Sequence, residues 1–286
     1  MWIVLSFGSA VFAGLTSVLA KLGIRKTDSH VATALRTIIV LIMASLIVVI
    51  FPPADAVKIS GRTWLFLVLS GLATGASWLC YFRALQIGDV NKVVPVDKSS
   101  TVMTIILGVL FFAEPMSLIR ALFVLLIAVG TLLMVEPKPK TKETGSRAWL
   151  IYAVLSAVFA TLTAILGKIG IEAIDANVGT AIRTAVVLVM AWLVVVVTGK
   201  ANKVRETPKH ELGYIALSGL ATGGSWLCFY RALQTGPSGI VVPIDKLSIV
   251  VAVGLSWLIF KEKLTRKSAV GLVLITAGTL LLLTKY

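Results

Sequence analysis

The chain has 286 residues, of which 58% are hydrophobic and 14% charged, against roughly 45–50% and 25% in a soluble domain. That balance, with a mean hydropathy of +0.97, excludes a water-soluble globule, a disordered chain and a coiled coil, and leaves a polytopic helical membrane protein. The formal net charge of +14 speaks of topology rather than nucleic acid, because most Lys and Arg fall between apolar runs. Two Cys and two His without a cluster argue against a disulfide scaffold and a zinc site, and no metal or cofactor is expected.

A spanning helix needs about 20 mostly apolar residues. In chain order the qualifying segments run Trp2–Leu22, Val31–Phe51, Trp64–Ala84, Val90–Phe112, Leu118–Val135, Ala148–Gly167, Val178–Thr198, Leu212–Ala232, Ile240–Phe260 and Ser268–Thr284, ten in all. The intervals are short and rich in Pro, Gly, Lys, Arg and Asp, as loops should be. Trp2, Trp64, Trp149 and Tyr286 lie near segment ends, where amphipathic rings favour the interface. No cleaved signal peptide is expected, since no basic region precedes the first apolar run.

The chain repeats itself. The stretch from Ser70 to Gly88 recurs from Ser218 to Gly236, Val93-Val-Pro-Val-Asp-Lys98 recurs as Val241-Val-Pro-Ile-Asp-Lys246, and Thr33-Ala-Leu-Arg-Thr37 recurs as Thr180-Ala-Ile-Arg-Thr184. Lys21 matches Lys168, Glu114 matches Glu262 and Gly130 matches Gly278. The expected organisation is a five-helix repeat over residues 1–135, a polar linker over 136–147 and a second five-helix repeat over 148–286. Five is odd, so the second repeat should enter the membrane upside down. Inverted repeats of this kind are typical of secondary transporters, with the substrate site near the midplane between them. The alternative is a duplication without transport, such as a scaffold or partner-binding subunit.

Orientation follows from loop charge. The side of the termini carries only Lys58, Arg62, Arg120 and Lys285, whereas the opposite side carries the linker bases and most others, from Arg25 and Lys26 to Arg266 and Lys267. Both termini are therefore expected outside, with the linker cytoplasmic, in the inner membrane.

Ionisable residues within spans are functional candidates by default. Each half has the same set: Lys21, Arg36, Arg83, Asp97 and Lys98, then Lys168, Arg183, Arg231, Asp245 and Lys246. Four bases against one carboxylate leave uncompensated positive charge, which attracts anions in low dielectric. Arg also grips carboxylate or phosphate through two parallel hydrogen bonds. Arg36, Arg183, Lys98 and Lys246 are thus expected to bind or gate an anionic or zwitterionic solute. Lys21, Lys168, Arg83 and Arg231 are secondary candidates, because at span ends they can equally snorkel to headgroups. Asp97 and Asp245 either hold a neighbouring base or carry a coupling proton.

Pro95 and Pro243 precede these pairs, where a proline either kinks the helix or simply suits a first turn. Gly71-x-x-x-Gly75 and Gly219-x-x-x-Gly223 permit close helix approach. Trp78, Tyr81, Trp226 and Tyr230 follow on the same spans, either as packing or as lining of a mostly apolar cavity. Cys80 and Cys228 are expected to be small buried hydrophobes, and Glu114 and Glu262 to cap the next helix or pair a loop base. No nucleophile–base arrangement, phosphate loop or carboxylate pair stands out, so no catalytic residue and no enzyme activity is expected.

With its five-helix repeat, Arg83-Ala-Leu-Gln-x-Gly88 leading to Pro95, Phe112-Ala-Glu114, Gly130-Thr and their second-half copies, the chain resembles the drug/metabolite transporter superfamily, in its EamA branch. The resemblance covers essentially the whole chain and implies a ten-helix secondary transporter, often an exporter of amino acids, nucleobases or other metabolites. It closely resembles the short members made of one repeat, here present twice in tandem. Longer relatives usually follow the span-4 proline with apolar residues, where this chain has Asp97-Lys98 and Asp245-Lys246. They are also commonly placed with cytoplasmic termini, against the charge count here. The expected partners are the lipid bilayer, a small metabolite and a coupled proton, with no nucleic acid, for a chain acting as a monomer.

Overall fold

The computed structural model describes residues 1–53, 59–112, 117–134, 148–171, 174–235, 241, 244–245 and 247–283. The helices among them are α1 (Trp2–Gly23), α2 (Ser29–Ile50), α3 (Gly61–Ile87), α4 (Val90–Lys98), α5 (Ser100–Phe112), α6 (Leu118–Met134), α7 (Ala148–Ile171), α8 (Ala176–Val197), α9 (Ala201–Arg205), α10 (Lys209–Thr235), α11 (Ser248–Phe260) and α12 (Arg266–Leu283). Val241, Ile244 and Asp245 are helical as well, and the described residues contain no strand. Six of the helices are long and apolar enough to cross a membrane, namely α1, α2, α3, α7, α8 and α10, and shorter apolar helices accompany them.

Side-chain oxygens start several of these helices. Asp28 caps α2 by accepting from His30 N, Ser60 caps α3 by accepting from Thr63 N, and Asp175 caps α8 by accepting from Asn177 N and Val178 N. Each satisfies a backbone donor that the first turn leaves without a helical partner. The sequence predicts one span over 90–112, and the structure breaks it at Ser99. Pro95 has no N–H to give and holds its own φ. Just beyond it, Ser99 N is shared between Pro95 O at 3.0 Å and Val96 O at 3.1 Å, and the Ser99 hydroxyl donates to Val96 O at 2.6 Å. The chain tightens there before α5 begins. The short α9, absent from the sequence reading, sits in the polar interval after α8.

The most extensive helix pairings cross between the halves: α1 lies on α10, α3 on α7, α2 on α8 and α6 on α12. Small residues allow these approaches. A Cβ on Gly23 would meet Ile215, and one on Gly170 would meet Leu67, which is the repeat equivalent of the same contact. A Cβ on Gly130 would stand 2.6 Å from Gly271 O, so α6 and α12 touch backbone to backbone. The expectation that the two Gly-x-x-x-Gly pairs serve packing holds here: Gly71 and Gly75 face Val186 and Met190 of α8, while Gly219 and Gly223 face Ile39 and Met43 of α2.

The interior is rich in hydroxyls and the exterior is apolar, as a bilayer demands. Ser6, Ser9, Ser70, Ser156 and Ser218 are fully buried, while Ile42, Val49, Val189, Leu193, Leu132 and Val273 are exposed. The turns after α1, α3, α9 and α11 gather at one end. There Glu211 accepts Lys26 N and Thr27 N, Lys200 pairs with Asp28 at 2.8 Å, and Gln86 donates to Ile24 O and Thr27 O. A packed apolar cluster, including Ile24, Leu85, Val90, Val93 and Val94, fills that end.

Candidate functional site

Arg36 lies two turns into α2 and is only 4% exposed. Gly219 brings α10 so close to α2 that a Cβ there would lie 3.2 Å from Arg36 O. That approach sets Ser218 and Thr222 beneath the guanidinium. Nε donates to Ser218 Oγ at 3.0 Å, and Nη2 donates to Thr222 Oγ1. The cation also lies over Trp78 at 4.8 Å and Phe82 at 4.7 Å, which are favourable cation–π distances. Nη1 is buried with no hydrogen-bond partner among the described residues. The described partners of this cation are thus two hydroxyls and two ring faces, none of them a carboxylate.

A cavity of about 240 Å³ opens beside it, between the halves. Arg36, Trp78, Tyr81, Asp97 and Lys98 line it with Trp226 of the second half. The two Trp rings stand 6.4 Å apart, tilted by 37°, and Tyr81 donates to Ser17 Oγ at 2.6 Å. Two cations and one carboxylate therefore face this space among the described residues, which gives it a net positive field.

The second half repeats these contacts with differences. Arg183 is partly exposed, and its Nη2 donates to Thr74 Oγ1 at 3.3 Å. Asp245 accepts the Ser9 hydroxyl at 2.7 Å, as Asp97 accepts that of Ser156 at 2.6 Å. Lys246 and the side chain of Tyr230 lie outside the described residues, as does Glu114.

Of the secondary candidates, Lys21 does not simply snorkel. It pairs with Glu262 at 2.7 Å and donates to Gly88 O at 2.7 Å. Glu262 in turn accepts Val90 N, Asn91 N and the Ser256 hydroxyl. Of the two expected roles, capping the next helix or pairing a loop base, it takes neither as stated: it caps α4, a helix of the other half, and pairs a base at the end of α1. Lys168 is exposed. Arg83 donates to Gln86 Oε1 at 2.6 Å, and Arg231 lies over Phe51 at 5.3 Å. Cys80 and Cys228 are half-buried rather than buried. No group of three His, Cys, Asp or Glu comes together among the described residues.

The hydroxyls were missed by the sequence reading. Thr16, Ser17, Ser77, Thr222 and Ser225 line the cavity. The usable signal was pairing across the repeat: Thr16 matches Thr163, Thr74 matches Thr222 and Ser77 matches Ser225, all within apolar spans.

Comparison with known proteins places this geometry. The EamA-like transporter family matches residues 1–136 and again residues 147–284. A Sinorhizobium protein described as an uncharacterized transporter in the cobO 3' region is 50% identical over 127 residues, which are 44% of this chain and 90% of that relative. An uncharacterized protein of Methanocaldococcus jannaschii is 33% identical over 100 residues, 32% of this chain and 73% of its own length. One solved crystal structure matches with a TM-score of 0.66, covering 99% of this chain and 97% of that one at 13% identity, a likeness of fold alone. With both halves matched and its helices apolar outside, the chain is an integral multi-pass membrane protein that belongs to the EamA-like transporter family.

Proposed function

We propose that the protein is a secondary transporter for a small anionic or zwitterionic metabolite, working by alternating access of two inverted five-helix repeats. The observation that carries this reading is Arg36: a buried guanidinium with Nη1 lacking a partner among the described residues, on the wall of a cavity between the halves. A buried polar group without a partner costs about 1–3 kcal/mol, and more when charged. An anionic group of the solute offsets that cost by occupying the free donor and neutralising the charge. A non-transporting scaffold has no need of such a cavity.

Ten spans and inversion follow from five apolar segments per repeat, and are supported by the gathering of alternate turns at one end. Loop charge supports both termini outside, in the inner membrane. Labelling of a single Cys at position 140 or 285, with Cys80 and Cys228 replaced, tests the orientation; reagent reaching position 140 only from the periplasm inverts it. The substrate class is tested by proteoliposome flux against a metabolite panel. Arg36→Ala is expected to abolish flux of the anionic solute in folded, inserted protein, and wild-type flux in that variant overturns the reading.

A further inference from the structure

Asp97 lines the cavity beside Lys98, just before the break at Ser99. Its Oδ1 accepts the Ser156 hydroxyl of α7, and Ser156 lies 3.2 Å from the hydroxyl of Ser77, which reaches the cavity. The other half repeats this chain of atoms. Asp245 accepts from Ser9, Ser9 lies 3.1 Å from Ser225, and Ser225 reaches the same cavity. Each carboxylate–serine–serine chain joins one repeat to the other. An ionised carboxylate only accepts hydrogen bonds, so the serine hydroxyl latches the carboxylate helix to its neighbour. The separations of 2.6 and 2.7 Å are those of O–H···O bonds. A carboxylate held by a hydroxyl at the cavity wall can take up a proton without leaving its partner, because a neutral carboxyl both donates and accepts hydrogen bonds.

We propose that Asp97 binds the coupling proton of the transport cycle, and that Asp245 takes its place when the cavity faces the other end. The inference rests on the reading of the cavity as the transport site. The step is a simple protonation. Hydronium in the cavity water gives a proton to the carboxylate: one O–H bond of the hydronium breaks, one forms on Asp97, and a neutral carboxyl and a water molecule result. That carboxyl becomes a donor, so the Ser156 hydroxyl loses its charged acceptor and the contact between α4 and α7 weakens. Neutral Asp97 also leaves Arg36 and Lys98 as the charges facing the cavity among its described lining. Proton and anion then favour each other's binding, and the coupling is reciprocal.

The titratable groups on the elements packed against α4 are Arg62, Cys80, Tyr81 and Arg83 on α3, Tyr152 and Lys168 on α7, Lys21 on α1, and Lys92 and Lys98 on α4 itself; of these, Tyr81 and Lys98 share the cavity with Asp97. Arg36 faces it across the cavity. The described side chains of α5, α6 and α11 carry no titratable group.

Infrared difference spectra of the full chain in lipid, recorded across pH with protons as the only added ligand, test the proposal. The carbonyl-stretch band of protonated carboxyl groups that appears on acidification of the wild type is expected to lose one component in Asp97→Asn and to keep it in Asp89→Asn, while Asp245 and the other carboxyl groups still contribute. Ser156→Ala removes a donor to the ionised form and is expected to move the titration up by about one pH unit, which keeps the test open if Asp97→Asn fails to fold. Arg36→Ala is expected to keep the band, so unchanged flux in that variant with the band intact refutes the anion site alone. An unaltered titration in both Asp97→Asn and Ser156→Ala, or a saturable response to sodium ions at fixed pH in place of the proton response, overturns the proposal.

Discussion

The two repeats carry nearly the same residues, yet the matched charges sit in different surroundings. Arg36 is 4% exposed and held by the other half, whereas Arg183 is partly exposed. Lys21 is locked to Glu262 and Gly88 O, whereas Lys168 is exposed. Ile249 and Ala252 are buried in the apolar cluster at the Lys21 end, and their repeat counterparts Thr101 and Thr104 are half-buried. Identical residue types at Arg36 and Arg183, and at Lys21 and Lys168, rule out the side chain itself as the cause. The difference lies in their surroundings: among the described residues, contacts between repeats tie the Lys21 end together, while Glu114, the counterpart of Glu262 beside Lys168, lies outside the described residues.

The largest break in that comparison is expected from Arg36. Arg36→Ala and Arg183→Ala should each reduce transport by at least about tenfold, the size expected from losing a charge-assisted hydrogen bond. Arg36→Lys should not restore it where two parallel hydrogen bonds are used. Flux in proteoliposomes, normalised to inserted protein, is the readout.

The clasp comes next. Glu262→Gln keeps shape but removes the charge that holds Lys21 and the N-terminus of α4. The tied end should loosen by about 1–3 kcal/mol, read as faster labelling of a Cys at position 94 from the loop side. Unchanged labelling would mean that apolar packing alone closes that end.

Glycine substitutions sharpen the contrast further. Gly130→Ala puts a Cβ against Gly271 O and should cost about 1–3 kcal/mol. Gly254 has nothing within 4 Å of the added carbon, so Gly254→Ala should be neutral or stabilise α11 by up to about 1 kcal/mol. Thermal unfolding in detergent separates the two.

The smallest expected effect is at the capped turn of α2. Burial raises the Asp28 carboxyl, but hydrogen bonds from Lys200 and His30 N and the Lys200 charge outweigh it and leave the pKa below its ordinary 3.8. A depressed carboxylate stabilises the fold above that ordinary value, and the stabilisation is lost as pH falls through the folded value. Asp28→Asn should therefore melt lower than the wild type near neutral pH by about 0.5–1 kcal/mol, with the gap closing below pH 3.8.

Much of this architecture was legible because the sequence says it twice. The repeat, the matched charges and the glycine pairs all lie in local strings, and the glycines do meet α2 and α8. The role of Glu262 was not legible. Its partners Lys21, Val90 and Asn91 come from the other half, and nothing near position 262 encodes them. The buried hydroxyls were passed over because a lone Ser in an apolar span carries no signal without its partner across the repeat. The break at Ser99 is half legible in Pro95, where the sequence allows either a kink or an ordinary first turn, but not in Ser99 itself, whose N–H and hydroxyl tighten the chain one turn later.

The central claim is that the space between the repeats opens at one end at a time. Its direct measurement is paired accessibility of single Cys at position 94 and at the matching position 242, with Cys80 and Cys228 replaced, under conditions that bias the conformation. Val94 is 1% exposed at the tied end. The account predicts anticorrelated labelling, with position 94 protected whenever position 242 reacts, and the reverse when the bias is switched. High labelling at both positions at once from opposite sides, or protection of both under every condition, would contradict it.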